Sequence, residues 1–241
     1  MDLERERSDL AAAFRWTVRL DMHEAVANHF SLSVNDDGSK FLINPNQVHF
    51  SRIKASDLLL LNANDRSEMR RSDAPDPTAW GLHSALHRLC PHAKCAMHVH
   101  STYATVLAVL SDSALPPVDQ TSAMFFNRIV YDIDYKGLAF ESEGERCAKL
   151  FVNPKKKVML MGNHGILVIG DTVADTFDRL FMFERAAKTY ILALQTGKKL
   201  RVLSDSVAER VASEIESYPA ESRHFEEIKV ILDSEGSDYC D

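Results

Sequence analysis

The segment KCAMHVHSTYATVLAVL, Lys94 to Leu110, joins two patterns in one short run. From Ala93 to Val99 the residues are mostly apolar and follow a turn, which predicts a buried strand. Ser101 then offers a cap for a helix running to Leu110. Successive side chains on a strand point to opposite faces, so His98 and His100 at its end project from one side, a few ångströms apart. Two neutral imidazoles on one side form a chelating pair. Catalytic zinc usually takes three protein ligands and keeps a fourth position open, so a third group is needed.

His164 is the best candidate. The stretch KKKVMLMGNHGILVIG, Lys155 to Gly170, reads as two apolar strands interrupted at Gly162, Asn163, His164 and Gly165. An imidazole buried there costs free energy unless its nitrogen lone pair is used, and the flanking glycines let the backbone turn sharply enough to aim it. A lone buried histidine is more often a hydrogen-bonded core residue. H-x-H together with N-H-G tips the balance toward a metal. His83 and His87 stand one helical turn apart in HSALH, a spacing that can also bind metal. That stretch lacks the glutamate of H-E-x-x-H, so packing against the sheet is the simpler reading.

Around these motifs the chain alternates strands and helices. Leu10, Phe14, Val18, Met22 and Val26 recur every four positions and predict a first helix from Ser8 to about Asn28. HFSLSV, NDDGS and KFLIN read as a β-hairpin. A strand is expected within Ile53 to Asn62, and a polar loop from Ala63 to Thr78. Thr78 should cap a helix that Pro91 ends. A pair of strands is expected around Ile129 to Asp134, and a helix from Gly144 to Phe151. Asp171 should cap the longest helix, reaching about Leu194, with Phe177 and Phe181 in a core stripe and Phe183 or Tyr190 facing a subunit neighbour. This pattern predicts one α/β domain over residues 1–203, with a helical tail, 204–241, packed on or near it.

The 241 residues, 45% of them hydrophobic, suffice for a substantial core. A formal net charge of -7 gives no basic field for phosphate backbones, so nucleic acid is not an expected partner. MDLERERSDL lacks the apolar centre of a secretory signal, and no apolar run approaches the roughly 20 residues of a membrane span. A cytoplasmic protein without a membrane partner is expected. Cys90, Cys95, Cys147 and Cys240 lack zinc-knuckle spacing and read as reduced thiols.

LHSALHRLCPHAKCAMHVHSTYATVLAVL, followed by VMLMGNHGILVIGDTVADTFDRLFMFERAAKTYILAL, resembles the class II aldolase/adducin family, with wording nearest the adducin head domain. Weaker agreement begins at ANHFSLSV and FLINP, so the likeness covers roughly Leu10 to Thr196. It implies a three-layer α/β/α fold with a mostly antiparallel central sheet. It also implies a divalent metal, usually zinc with manganese or iron as alternatives, on His98, His100 and His164, and a homotetramer with active sites between subunits.

Three departures from the family pattern bear on chemistry. The sugar-phosphate aldolases carry a glutamate, and the related epimerases an aspartate, just before the aromatic that matches Trp80. This chain has Ala79, and a methyl group cannot move a proton. Asn44, Pro45, Asn46 and Gln47, then Pro77 and Thr78, stand where the aldolases place the small residues of a phosphate nest. Asp119 and Gln120 lie near the position of the tyrosine that a neighbouring aldolase subunit supplies.

A metal on three histidines can still polarise a carbonyl without Ala79. The expected function is therefore metal-dependent lyase chemistry, meaning aldol cleavage, decarboxylation or dehydration. Its substrate would be a small, unphosphorylated oxo or hydroxy acid or sugar-like carbonyl compound. Proton transfer falls to Glu24, to His29, to Asp119 across an interface, or to water. The alternatives are a non-catalytic binding module like the adducin head, or a three-histidine iron oxygenase.

Overall fold

Strand residues that alternate between two apolar faces need a helical layer on each side, and the computed structural model, which describes residues 3–138, 140–218 and 223–241, supplies both. Its helices are α1 (Glu4–Arg19), α2 (Pro77–Leu89), α3 (Thr102–Ala108), α4 (Gln120–Ala123), α5 (Glu141–Leu150), α6 (Val173–Gln195), α7 (Asp205–Ser217) and α8 (Arg223–Ser234). The strands are β1 (His29–Ser33), β2 (Lys40–Ile43), β3 (Leu59–Asn62), β4 (Cys95–Val99), β5 (Ile129–Asp132), β6 (Val158–Met161) and β7 (Gly165–Gly170). They form one sheet in the order β3-β2-β1-β4-β7-β6-β5, in which only β5 and β6 run parallel. The fold is three-layered, with a mostly antiparallel sheet in the middle.

Cys95, Met97 and Val99 of β4 point to the layer of α1, α3, α6 and α8, where Phe14, Leu107, Phe177 and Phe225 complete the larger core. Ala96 faces the opposite way with Met159, Leu167 and Ile169, packing against Leu82 and Leu86 of α2 and Cys147 of α5. His98 shares the side of Ala96 by strand alternation. The central strand therefore delivers its histidine to the α2 layer.

The first helix is shorter than its periodicity predicts. It closes in a Schellman turn: Met22 donates its N–H to Thr17 O, Asp21 donates to Val18 O, and Asp21 takes a φ of 53°. Met22 is still buried, so the fourfold spacing continues in burial after the helix has ended. An aspartate does here what glycine usually does, which hid the stop. Residues 20–28 instead form a loop that runs to the site.

Other caps also differ from expectation. Asp76, not Thr78, caps α2, accepting the N–H groups of Thr78 and Ala79, and Thr172 rather than Asp171 caps α6. The expected strand pair near Ile129 is the single strand β5. Beyond Asp132 the chain is irregular and leaves Ile133, Tyr135 and Leu138 exposed. Phe177 is buried in the core as expected, but Phe183 is fully buried against Phe125 while Phe181 is half-buried beside His224, so these two exchange their expected places. Counting from Phe177, the inward positions of α6 continue at Leu180 and Phe183 in steps of three and then at Ala187 and Ile191 in steps of four, rather than in fours alone.

The two tail helices both dock. Phe225, Ile228 and Leu232 of α8 enter the larger core, Trp16 donates its indole N–H to Ile228 O, and Lys229 pairs with Asp9. Glu209 and Glu216 of α7 hold the buried Arg128 guanidinium. Among the described residues, no helix is long and apolar enough to cross a membrane.

Candidate metal centre

His98 lies at the end of β4 and His100 just beyond it, with their Nε2 atoms 3.0 Å apart. His164 comes from the tight β6–β7 turn, where its N–H donates to Met161 O and Asn163 takes a φ of 56°. One ligand atom from each of the three histidines lies within 4.8 Å of the others. Gly165 permits this approach: a Cβ there would sit 2.6 Å from Val99 O and 2.9 Å from the His100 ring. The glycine of N-H-G thus lets the two ligand-bearing segments touch.

The rings are also aimed. His98 Nδ1 donates to Ile166 O at 2.9 Å, leaving Nε2 as the free lone pair. His100 Nδ1 meets the Glu24 carboxylate, the usual carboxylate–histidine arrangement behind a metal ligand. Glu184 of α6 reaches across to accept Ser101 Oγ–H and the N–H groups of Tyr103 and Ala104. It is therefore Glu184 that caps α3, and Ser101, expected to be the cap, donates instead. Burial and the neighbouring imidazoles hold His98 well below the usual histidine range and bring His164 down to about 4, so both present unprotonated nitrogen. The donor set, geometry and protonation suit a divalent cation with one or more positions open.

A second cluster, Asp132, Glu143 and Cys147, has comparable spacing. The Arg146 guanidinium sits within it and pairs with both carboxylates. Burial pushes the Cys147 thiol up to about 12. That cluster already holds its cation.

Beside the three histidines is a cavity of about 300 Å³, lined partly by Asn28, His29, Asp76, Ala79 and Leu138. Asn28 and Asp76 were not singled out from the sequence. Asn28 is buried, its oxygen accepts the Glu24 N–H at 2.6 Å, and its amide nitrogen has no partner among the described residues. Asn44 is committed to the backbone, accepting Phe30 N–H and donating to Asn28 O and Pro45 O. Only an adjacent turn and asparagine marked these positions in the sequence, and both are common in loops.

The three acid/base candidates fare differently. His29 lines the cavity, with its ring centre 5.0 Å from that of His98. Glu24 is in the loop after α1 rather than near the end of a helix, and its carboxylate is engaged by His100. Asp119 does not line the cavity of its own chain; it caps α4 through the Ser122 N–H and hydroxyl.

The family model for the Class II Aldolase and Adducin N-terminal domain matches residues 8–191. The crystal structure of an aldolase II superfamily protein from Pseudomonas syringae is similar over 99% of this chain and 96% of that one, at 27% identity and a TM-score of 0.87. L-fuculose 1-phosphate aldolase from Glaciozyma antarctica PI12 shares the fold over 98% of this chain and 92% of its own, at 21% identity and a TM-score of 0.82. Beta-adducin of Rattus norvegicus is 30% identical over 172 residues, which are 70% of this chain and 23% of the adducin. The family model matches across most of the sequence, and the chain belongs to the class II aldolase/adducin family.

Proposed function

We propose that this chain is a metal-dependent lyase that cleaves a small, unphosphorylated hydroxy-carbonyl compound in an aldol-type reaction. The convergence of the His98, His100 and His164 ligand atoms beside an open cavity carries the reading. Zinc is the first choice for three imidazoles, with manganese and iron as alternatives. When bound, such an ion supplies a Lewis acid that polarises a carbonyl oxygen.

Cavity chemistry supports an unphosphorylated substrate. Among the described residues no lysine or arginine lines it, and the Asp76 carboxylate occupies the N-terminus of α2 and consumes the N–H groups of Thr78 and Ala79. A phosphate there would meet a negative charge and lose two donors. In aldol cleavage a hydroxyl proton must leave as its O–H pair becomes a carbonyl and the C–C bond breaks, leaving that bond's pair on the other fragment. Ala79 cannot accept the proton. His29 is the candidate that faces the cavity, whereas Glu24 supports His100.

Glu24→Gln keeps an oxygen for His100 Nδ1–H but removes the carboxylate charge behind that ligand. It is expected to weaken metal binding by about tenfold, measured by competition with a chromophoric chelator. Unchanged affinity would remove Glu24 from the centre.

The same reading takes the protein as a cytoplasmic homotetramer, with 204–241 an extension of the 1–203 domain. Its exposed Ile133, Tyr135 and Leu138 beside the cavity suit a subunit contact. A second reading, a binding module like the adducin head, is favoured by Ala79 in place of the family carboxylate. The two separate in a turnover screen of zinc-, manganese- and iron-loaded protein against paired substrates, including L-fuculose and L-fuculose 1-phosphate, with products read by NMR. Cleavage favouring unphosphorylated members by at least about tenfold is expected. Preference for the phosphate would overturn the substrate class, and metal-loaded protein that cleaves nothing would favour the binding module.

A further inference from the structure

On β1, His29 and Ser31 are two residues apart and share a face; on α2, His83 and His87 are one turn apart and share another. The two pairs interdigitate as α2 packs on the sheet, and all four side chains are buried. Their hydrogen bonds form a single chain. His87 Nδ1 lies 2.9 Å from Ala93 O, His87 Nε2 lies 2.7 Å from Ser31 Oγ, Ser31 Oγ meets His83 Nδ1, and His83 Nε2 lies 2.8 Å from His29 Nδ1.

The end of this chain fixes its direction. A carbonyl oxygen only accepts, so His87 Nδ1 carries the proton and its Nε2 must accept from the Ser31 hydroxyl. Ser31 oxygen then accepts from His83 Nδ1–H, which leaves His83 Nε2 to accept from His29 Nδ1–H. Burial keeps the two inner rings of the relay neutral, with His87 brought down to about 4 and His83 held well below the usual range. In a neutral ring with Nδ1 protonated, Nε2 of His29 has only its lone pair. That atom has no protein partner among the described residues, and His29 lines the cavity beside the unpaired amide of Asn28.

We propose that His83, Ser31 and His87 are positioning residues that lock His29 in its Nδ1–H form, so that Nε2 stands in the cavity as a fixed acceptor for a substrate hydroxyl. The adjacent Asn28 amide supplies a donor, so the site selects a compound presenting a hydroxyl and, next to it, a carbonyl or carboxylate oxygen. This deepens the lyase reading and rests on it: His29 takes the hydroxyl proton that a residue at position 79 would take in the aldolases, and returns it to the carbon left with the electron pair. No oxidant or reductant is required. The relay ends at a buried carbonyl, so it orients His29 and offers no route for protons to solvent.

The test is long-range proton–nitrogen correlation NMR of histidine-labelled full-length protein, which reads each ring's tautomer without substrate. In the wild type, His29, His83 and His87 are expected as Nδ1–H tautomers. Ser31→Ala should shift His83 and His29 toward Nε2–H while leaving His87 and metal content unchanged. It should also lower kcat by at least about tenfold with little change in KM, and Ser31→Thr, which keeps a hydroxyl, should restore both tautomer and rate. A wild-type His29 protonated on Nε2, or tautomers unmoved by Ser31→Ala, would overturn the proposal. Because the spectrum needs no turnover, a wrong tautomer in an active enzyme sinks this inference alone, and the expected tautomers in an inactive protein sink the lyase reading alone.

Discussion

Protein carrying His98→Ala and His100→Ala together is expected to retain almost no metal, against close to one ion per chain in the wild type. The two substitutions remove the Nε2 pair 3.0 Å apart, leaving His164 as one neutral nitrogen. One imidazole holds a divalent ion far more weakly than three, since affinity in such sites comes from several ligands fixed in advance. Loss of even a supporting partner typically costs 10–100-fold, so removing two ligands should lower affinity by at least about a thousandfold. Turnover should fall to background with it.

Elemental analysis of untagged protein purified without added metal reads the first result, and chelator competition the second. Because His98 is buried and donates to Ile166 O, circular dichroism of the variant must match the wild type for the comparison to count. Equal metal in wild type and variant would place the ion elsewhere. A wild type that stays empty even on titration with zinc, manganese and iron would end the lyase reading and favour the adducin-like binding module.

The second large effect is acid lability. His29, His83 and His87 sit in a dry relay where desolvation dominates and each is held neutral. Their pKa values are lower folded than unfolded, so unfolded chains bind protons first. The stability they carry is complete above about pH 6.5 and is lost progressively as pH falls toward about 4 for His87 and about 3 for His29. At one pKa unit per roughly 1.4 kcal/mol, His29 and His87 each cost about 2 kcal/mol by pH 5, and His83 acts in the same direction. Together they should lower the melting temperature by at least about 10 °C between neutral pH and about pH 5. Calorimetry in the presence of a chelator keeps metal release from contributing. A melting temperature flat across this window would show that the relay is already charged or hydrated.

The residues that would hold the metal were legible because their spacing is local. H-x-H on a strand has one geometric reading, and N-H-G between two apolar runs has few. Most strands and helices were legible for the same reason, since alternation and fourfold periodicity record which face is buried. Boundaries were less so. Asp21 closing α1 and Asp76 capping α2 belong to residue types common in loops, and only their backbone conformation and partners reveal the role. The single β5 strand was hidden because its pairing is with β6, twenty-nine positions on at Val158, and propensity carries no memory of a distant partner.

His83 and His87 show the limit most clearly. Their spacing marks a shared helix face, and His29 with Ser31 marks a shared strand face, yet neither pair implies the other. The sequence by itself determined the layered α/β fold and the three histidines of the candidate centre, because periodicity and short motifs act over a few residues. Only the tertiary structure decided that Glu24 meets His100, that Asp76 caps α2 beside the cavity, and that a chain of buried hydrogen bonds ends at His29. Those relations depend on hydrogen-bond direction between segments up to 76 residues apart, which is set when the layers pack and nowhere before.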